Sequence, residues 1–150
     1  MREALALAEE ARVAGEVPVG AIVVIGDQVV GRGHNSPLGS SDPTAHAEML
    51  AIRRASARLK TYDLKGCELY TNGTPCCMCM SSMLWANIDR AYYILEEKDS
   101  EAIGFGDRHY YDEVGRPIDE RQILPMVQLP ELKDEAMAVY HLWTEKHGTG

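Results

Sequence analysis

Glu68-Leu-Tyr-Thr-Asn-Gly-Thr-Pro-Cys-Cys-Met-Cys79 changes periodicity twice within twelve residues. Glu68 to Thr71 reads as a strand, Gly73-Thr-Pro75 as a break, and Cys76 to Ala86 as a helix that starts as the break ends. Cysteines three apart on a helix share a face, so Cys76 and Cys79 point the same way. Unpaired N–H groups and the positive end of the dipole favour thiolates at a helix N-terminus. The four cysteines sit at 67, 76, 77 and 79. That crowding is poor spacing for a disulfide framework and good spacing for metal ligands in a reducing compartment. Cys67 reads as a buried structural thiol. Cys77 with Cys79 is the other pairing to weigh, but i, i+2 spacing puts the two on different helix faces.

Upstream, Asp42-Pro43-Thr44 is a helix start with an N-cap candidate followed by proline, and the helix is predicted over about 44–59. His46-Ala-Glu48 lies in its opening turn. A catalytic zinc takes three protein ligands and leaves a fourth position to water. His46, Cys76 and Cys79 supply that count. Glu48, two positions after His46, reaches toward the same place without ligating and is the candidate proton shuttle. Zinc lowers the pKa of bound water toward about 7. Alone, a Cys-x-x-Cys is more often a structural half-site or redox pair, and a His-x-Glu a solvated helix face. Together, each opening a helix after a strand and loop, they match the zinc-deaminase signature H-x-E with P-C-x-x-C.

The rest of the chain supplies a scaffold. Ala4, Leu7, Ala8, Ala11 and Ala14 recur at helical spacing before Gly15, and residues 21–25 and 28–30 form a hairpin around Gly26-Asp27. Residues 34–43 are turn chemistry, 90–95 a strand and 126–128 a strand candidate. A last helix carries Leu132, Ala136, Val139, Tyr140 and Trp143 on one face. Alternating strands and covering helices predict one α/β domain over 1–150, a three-layer α/β/α fold with a mixed central sheet of about five strands. A hydrophobic content of 45% is enough for its core. The net charge of −8 argues against a broad phosphate-binding surface, so nucleic acid is not the expected partner. No apolar stretch approaches a membrane span and the N-terminus is acidic, which predicts a cytoplasmic protein.

The motifs and their flanks resemble the purine-acting zinc deaminases of the cytidine deaminase superfamily, a group that includes bacterial guanine deaminases and tRNA adenosine deaminases. Val17 to Ala21, Asn35 and Asp42 to Glu48 are similar in both. Tyr70-Thr71, Leu84-Trp-Ala86 and Gly104 to Glu113, with Pro117 and Arg121, resemble the guanine deaminases. The resemblance implies the cytidine deaminase-like fold, one zinc per chain and hydrolysis of guanine to xanthine and ammonia. It implies a homodimer, with C-terminal segments closing over the sites and in some members exchanged between them. It also implies that Asn35 and Ala47 bind the base, that Trp85 walls the pocket and that Asp107 reads the guanine edge. On the residues alone, Asn35 reads equally as a turn residue, Trp85 as core and Asp107 as a helix N-cap.

The chain departs from the family pattern in three places. Thr74 stands where glutamate is usual, Cys77 where proline or a small apolar residue is common, and the C-terminus at 147–150 lacks a terminal aromatic. The competing functions are deamination of tRNA adenosine, of guanosine or of an aminotriazine, and a non-catalytic zinc-binding dimerisation module. Glu48 speaks against the last, because a purely structural site needs no carboxylate beside an open position.

Overall fold

The computed structural model describes residues 1–148, which form two compact units, Met1–Tyr111 and a second that begins at Asp112. The first unit opens with helix α1 (Arg2–Val13), followed by the hairpin strands β1 (Gly20–Ile25) and β2 (Gln28–His34). Gly15 at φ 81° and Gly26 at φ 55° make the stop and the turn that the sequence predicts. A short helix α2 (Pro37–Ser40) leads to α3 (Ala47–Leu59), β3 (Cys67–Thr71), α4 (Cys77–Trp85), β4 (Arg90–Tyr92), α5 (Glu97–Ala102) and α6 (Arg108–Val114).

The sheet order is β2-β1-β3-β4. β1 runs antiparallel to β2 and to β3, whereas β3 and β4 are parallel across the crossover through α4, so the sheet is mixed. Period-two alternation assigns the faces. Ala21 and Val23 join the buried cluster with Ala51 and Ala55 of α3 and with Leu64, Leu69 and Met83. The helix approaches so closely that a Cβ at Gly31 would lie 2.1 Å from the Ala51 carbonyl oxygen, and one at Gly33 2.1 Å from that of Ala47. Arg32, between those glycines, points the other way and pairs with Glu3 of α1. α1 and α3 therefore cover opposite faces, giving the three layers. Burying each large aliphatic side chain in this core contributes ~1.5–3 kcal/mol.

Two boundaries differ from the sequence reading. The helix expected from residue 44 begins at Ala47, because the Asp42 carboxylate accepts both the backbone N–H (2.8 Å) and the hydroxyl (2.7 Å) of Thr44 and closes a local turn there. The sheet has four strands among the described residues, and 126–128 is not one of them. Met126 and Val127 are exposed and find no ladder to join.

In the second unit the Glu113 carboxylate accepts the backbone N–H groups of Gln122 (2.8 Å), Ile123 (2.8 Å) and Leu124 (3.1 Å). Helix α7 (Lys133–His147) follows a 3₁₀ turn at Pro130–Leu132. Its predicted apolar face exists, but Val139, Tyr140 and Trp143 are exposed. No described helix is long and apolar enough to cross a membrane.

Candidate active site

Two helix starts face each other in the first unit, and each uses the same local device. His46 is the N-cap of α3 and Cys76 the N-cap of α4, both extended (φ −70°, ψ 153° and φ −69°, ψ 168°). Neither side chain caps its own helix, so both are free to turn toward a common point. Cys79 joins them from the first turn of α4. His46 Nδ1 lies 3.5 Å from Cys76 Sγ and 3.6 Å from Cys79 Sγ. All three ligand atoms fall within 4.8 Å of one another.

That spacing suits zinc. Tetrahedral ligands at ordinary Zn–N and Zn–S lengths hold nitrogen and sulfur about 3.6 Å apart. The charge state suits it as well. A hydrogen bond from the Cys79 thiol, then His46 and the Cys79 backbone N–H, outweigh burial and lower Cys76 to about 4, the direction that metal ligation needs. Cys79, as the donor beside that thiolate in a buried setting, is pushed above the ordinary thiol range. The Cys76 sulfur also raises His46. Cys77 lies outside the trio, is pushed up by burial, and lines the adjoining cavity. Cys67 is fully buried in the core.

Glu48 is 3% exposed, with its Oε2 3.5 Å from Cys79 Sγ and its Oε1 accepting from the Thr71 hydroxyl at 3.4 Å. Burial is the main reason its carboxyl is raised. A buried carboxyl with a raised pKa, one step from the ligand cluster, is poised to hold and release a proton.

The cluster opens into a cavity of about 690 Å³ whose lining includes Asn35, His46, Glu48, Cys76, Asp107 and Tyr111. Asn35 is buried and its Oδ1 accepts the Ala47 N–H at 2.8 Å, which ties the end of β2 to the first turn of α3. Its Nδ2 is then the atom left to face a ligand. Ala47, expected beside the base, is fully buried and gives its N–H to this bond. Trp85 needs a correction on the core reading. It is 86% exposed at the end of α4 and belongs neither to the core nor to the cavity wall of its own chain. Asp107 does line the cavity, and it also immediately precedes α6, so the wall position and the helix-start position coincide. Burial, then the Cys76 charge, raises its carboxyl.

Several supporting groups carry no sequence signal. Asn72 accepts the Gly20 N–H and donates to the Pro18 carbonyl, both at 2.9 Å, pinning another stretch of cavity wall. Thr74 donates its hydroxyl to the Leu95 carbonyl at 2.7 Å. Tyr111 donates to the Pro75 carbonyl at 2.6 Å. Only the polar residue types were readable beforehand; their partners lie 21 to 54 residues away.

Comparison with known proteins agrees with this geometry. Residues 1–95 match the cytidine and deoxycytidylate deaminase zinc-binding region. The guanine deaminase of Bacillus subtilis is 41% identical over 106 residues, which is 71% of this chain and 68% of that protein. A solved structure of guanine deaminase from Bacillus subtilis superposes with a TM-score of 0.83 at 36% identity, covering 93% of this chain and 90% of that one. A structure from work on A-to-I editing by tRNA:A34 deaminases gives 0.65 at 31% identity, covering 81% and 86%. The ligand trio and the buried glutamate lie inside the matched region, and the chain belongs to the cytidine and deoxycytidylate deaminase zinc-binding family.

Proposed function

We propose that this chain is a zinc-dependent aminohydrolase that converts free guanine and water to xanthine and ammonia, and that residues 1–150 serve as one catalytic domain. The observation that carries the reading is the placement of buried Glu48 between the ligand trio and a cavity that also holds Asn35 and Asp107. His46, Cys76 and Cys79 hold the zinc, which supplies Lewis-acid activation of the attacking water. Glu48 takes the proton that water releases and passes it to a ring nitrogen, then takes the proton of the hydroxyl added to the ring carbon and delivers it to the departing amine, so the carboxylate is regenerated as ammonia leaves. Asn35 positions the base. With Oδ1 taken by Ala47, it acts as a donor through Nδ2 toward an acceptor on the purine. Asp107 accepts from the N–H groups along the guanine edge.

Guanine is favoured over tRNA adenosine for two reasons. The likeness to the guanine deaminase structure runs over 93% of the chain, well past the shared zinc-binding region. The net charge of −8 also disfavours a polyanionic partner. A homodimer fits the surface. Leu84 and Trp85 on α4 are 73% and 86% exposed, and Tyr140 and Trp143 on α7 are also open to solvent, apolar surfaces that a second copy would cover. Four free cysteines fit a reducing, cytoplasmic setting. The deciding experiment measures ammonia and xanthine from guanine with metal-replete and chelated protein. Inosine formation in a tRNA anticodon arm, with no xanthine from guanine, would overturn the reading.

A further inference from the structure

We propose that Tyr111 is a positioning residue whose hydroxyl, bonded to the Pro75 carbonyl, fixes the turn that delivers Cys76 against the segment that carries Asp107. The Pro75 carbonyl belongs to the peptide that leads directly into Cys76, the α4 N-cap and one of the three ligands. The turn before it is held by side chains on its other sides. Asn72 ties it to Pro18 and Gly20, and Thr74 ties it to Leu95. Tyr111 supplies the fastening at the residue nearest the ligand, at 2.6 Å. It reaches there from α6, the helix that Asp107 immediately precedes. One hydrogen bond therefore joins the wall segment that carries Asp107 to the turn that carries Cys76. The phenol is suited to permanent donation, since burial, then the charges of Asp107 and Cys76, push it up to about 12. Tyr110, its neighbour on the same helix, also lines the cavity but is tilted against the His109 ring.

The inference rests on the ligand assignment and, for its second half, on the guanine reading. The first arm of the test is the rate at which the zinc-loaded protein surrenders its metal to a chromophoric chelator. Loosening the residue next to a ligand should speed release about three- to tenfold in Tyr111→Phe, below the effect of removing a group bonded to the ligand itself. Tyr110→Phe should release at the wild-type rate, and the cobalt-substituted Tyr111→Phe protein should show altered thiolate charge-transfer bands. The second arm is a double-mutant cycle on kcat/KM for guanine, in which Tyr111→Phe costs about three- to tenfold alone and less than about twofold in an Asp107→Asn background. Release within about twofold of wild type, or equal losses in both backgrounds, would overturn the proposal. A wild-type protein that holds zinc but leaves guanine untouched would sink the guanine reading alone, and the chelator arm would then decide Tyr111.

Discussion

Glu48→Gln removes the ionisable carboxyl beside the ligand cluster at nearly constant volume, turning one acceptor oxygen into an N–H donor. The amide fills the volume of the carboxyl, and its oxygen can still accept from the Thr71 hydroxyl, now 3.4 Å from Oε1. The ligand trio is untouched, because His46, Cys76 and Cys79 contain every ligand atom of the cluster. Glutamine cannot take a proton from water or return one to an amine. General acid–base assistance is worth roughly 10²- to 10⁴-fold, or about 2.7–5.4 kcal/mol of barrier. The other carboxylates that line the cavity, Glu97 and Asp107, lie outside the ligand cluster. The expected outcome is one zinc per chain by metal analysis, a Tm close to wild type, and kcat for guanine lower by two to four decades. Turnover within about tenfold of wild type in a fully zinc-loaded variant would refute the proton-carrier role. Loss of zinc along with turnover would instead make Glu48 a support for the metal.

Cys76→Ala should lose the zinc and Cys77→Ala should keep it, as metal analysis of the two purified variants will show; zinc retained only by the first would reverse the ligand assignment. Asp107→Asn should lower kcat/KM for guanine by roughly ten- to a hundredfold at unchanged zinc content, because a hydrogen bond to a charged group is worth roughly 1.5–3 kcal/mol. A destabilised variant with wild-type kinetics would reduce Asp107 to a helix cap. In the second unit, burial pushes the Glu113 carboxyl up, but the backbone N–H groups of Leu124, Ile123 and Gln122, with Arg116, together hold it below its ordinary 4.5. A depressed folded pKa gives stabilisation that is full above 4.5 and drains away as pH falls through the lower folded value. Amide exchange protection at 122–124 should therefore persist near neutrality, disappear on acidification, and be missing at all pH values in Glu113→Ala.

The layered fold was legible because its signals are local. The β-branched run at residues 21–25, the Gly26-Asp27 turn and the helical spacing of Ala4 to Ala11 each act within one element, and each formed where it was expected. The start of α3 was misplaced by competition inside four residues, where the Asp42 side chain bonds Thr44 in preference to leaving its N–H to the helix. The strand candidate at 126–128 failed for a different reason. Its β-branched and apolar content describes a segment that would suit a sheet, but an edge must be available to receive it, and propensity carries no knowledge of edges.

The site divides along the same line. His46, Glu48, Cys76 and Cys79 could be named in advance because metal chemistry restricts both residue type and spacing, and a helix turn converts that spacing into shared direction. The residues around them are restricted by neither. Asn35 acts through an N–H twelve positions away and Tyr111 through a carbonyl thirty-six positions away. Ala47 was placed at the base by resemblance alone, and in the structure its N–H is given to Asn35. Trp85 illustrates the cost of transferring a role within one chain. An indole that is 86% exposed beside Leu84 has no use in the monomer's cavity, so any part it plays in a pocket requires a surface from outside the chain. The same dependence applies to the uncovered face of α7. What the sequence left unread is thus the set of contacts whose second partner is far along the chain or on another molecule, whereas the chemistry at the metal-binding turns was compact enough to be written in two short motifs.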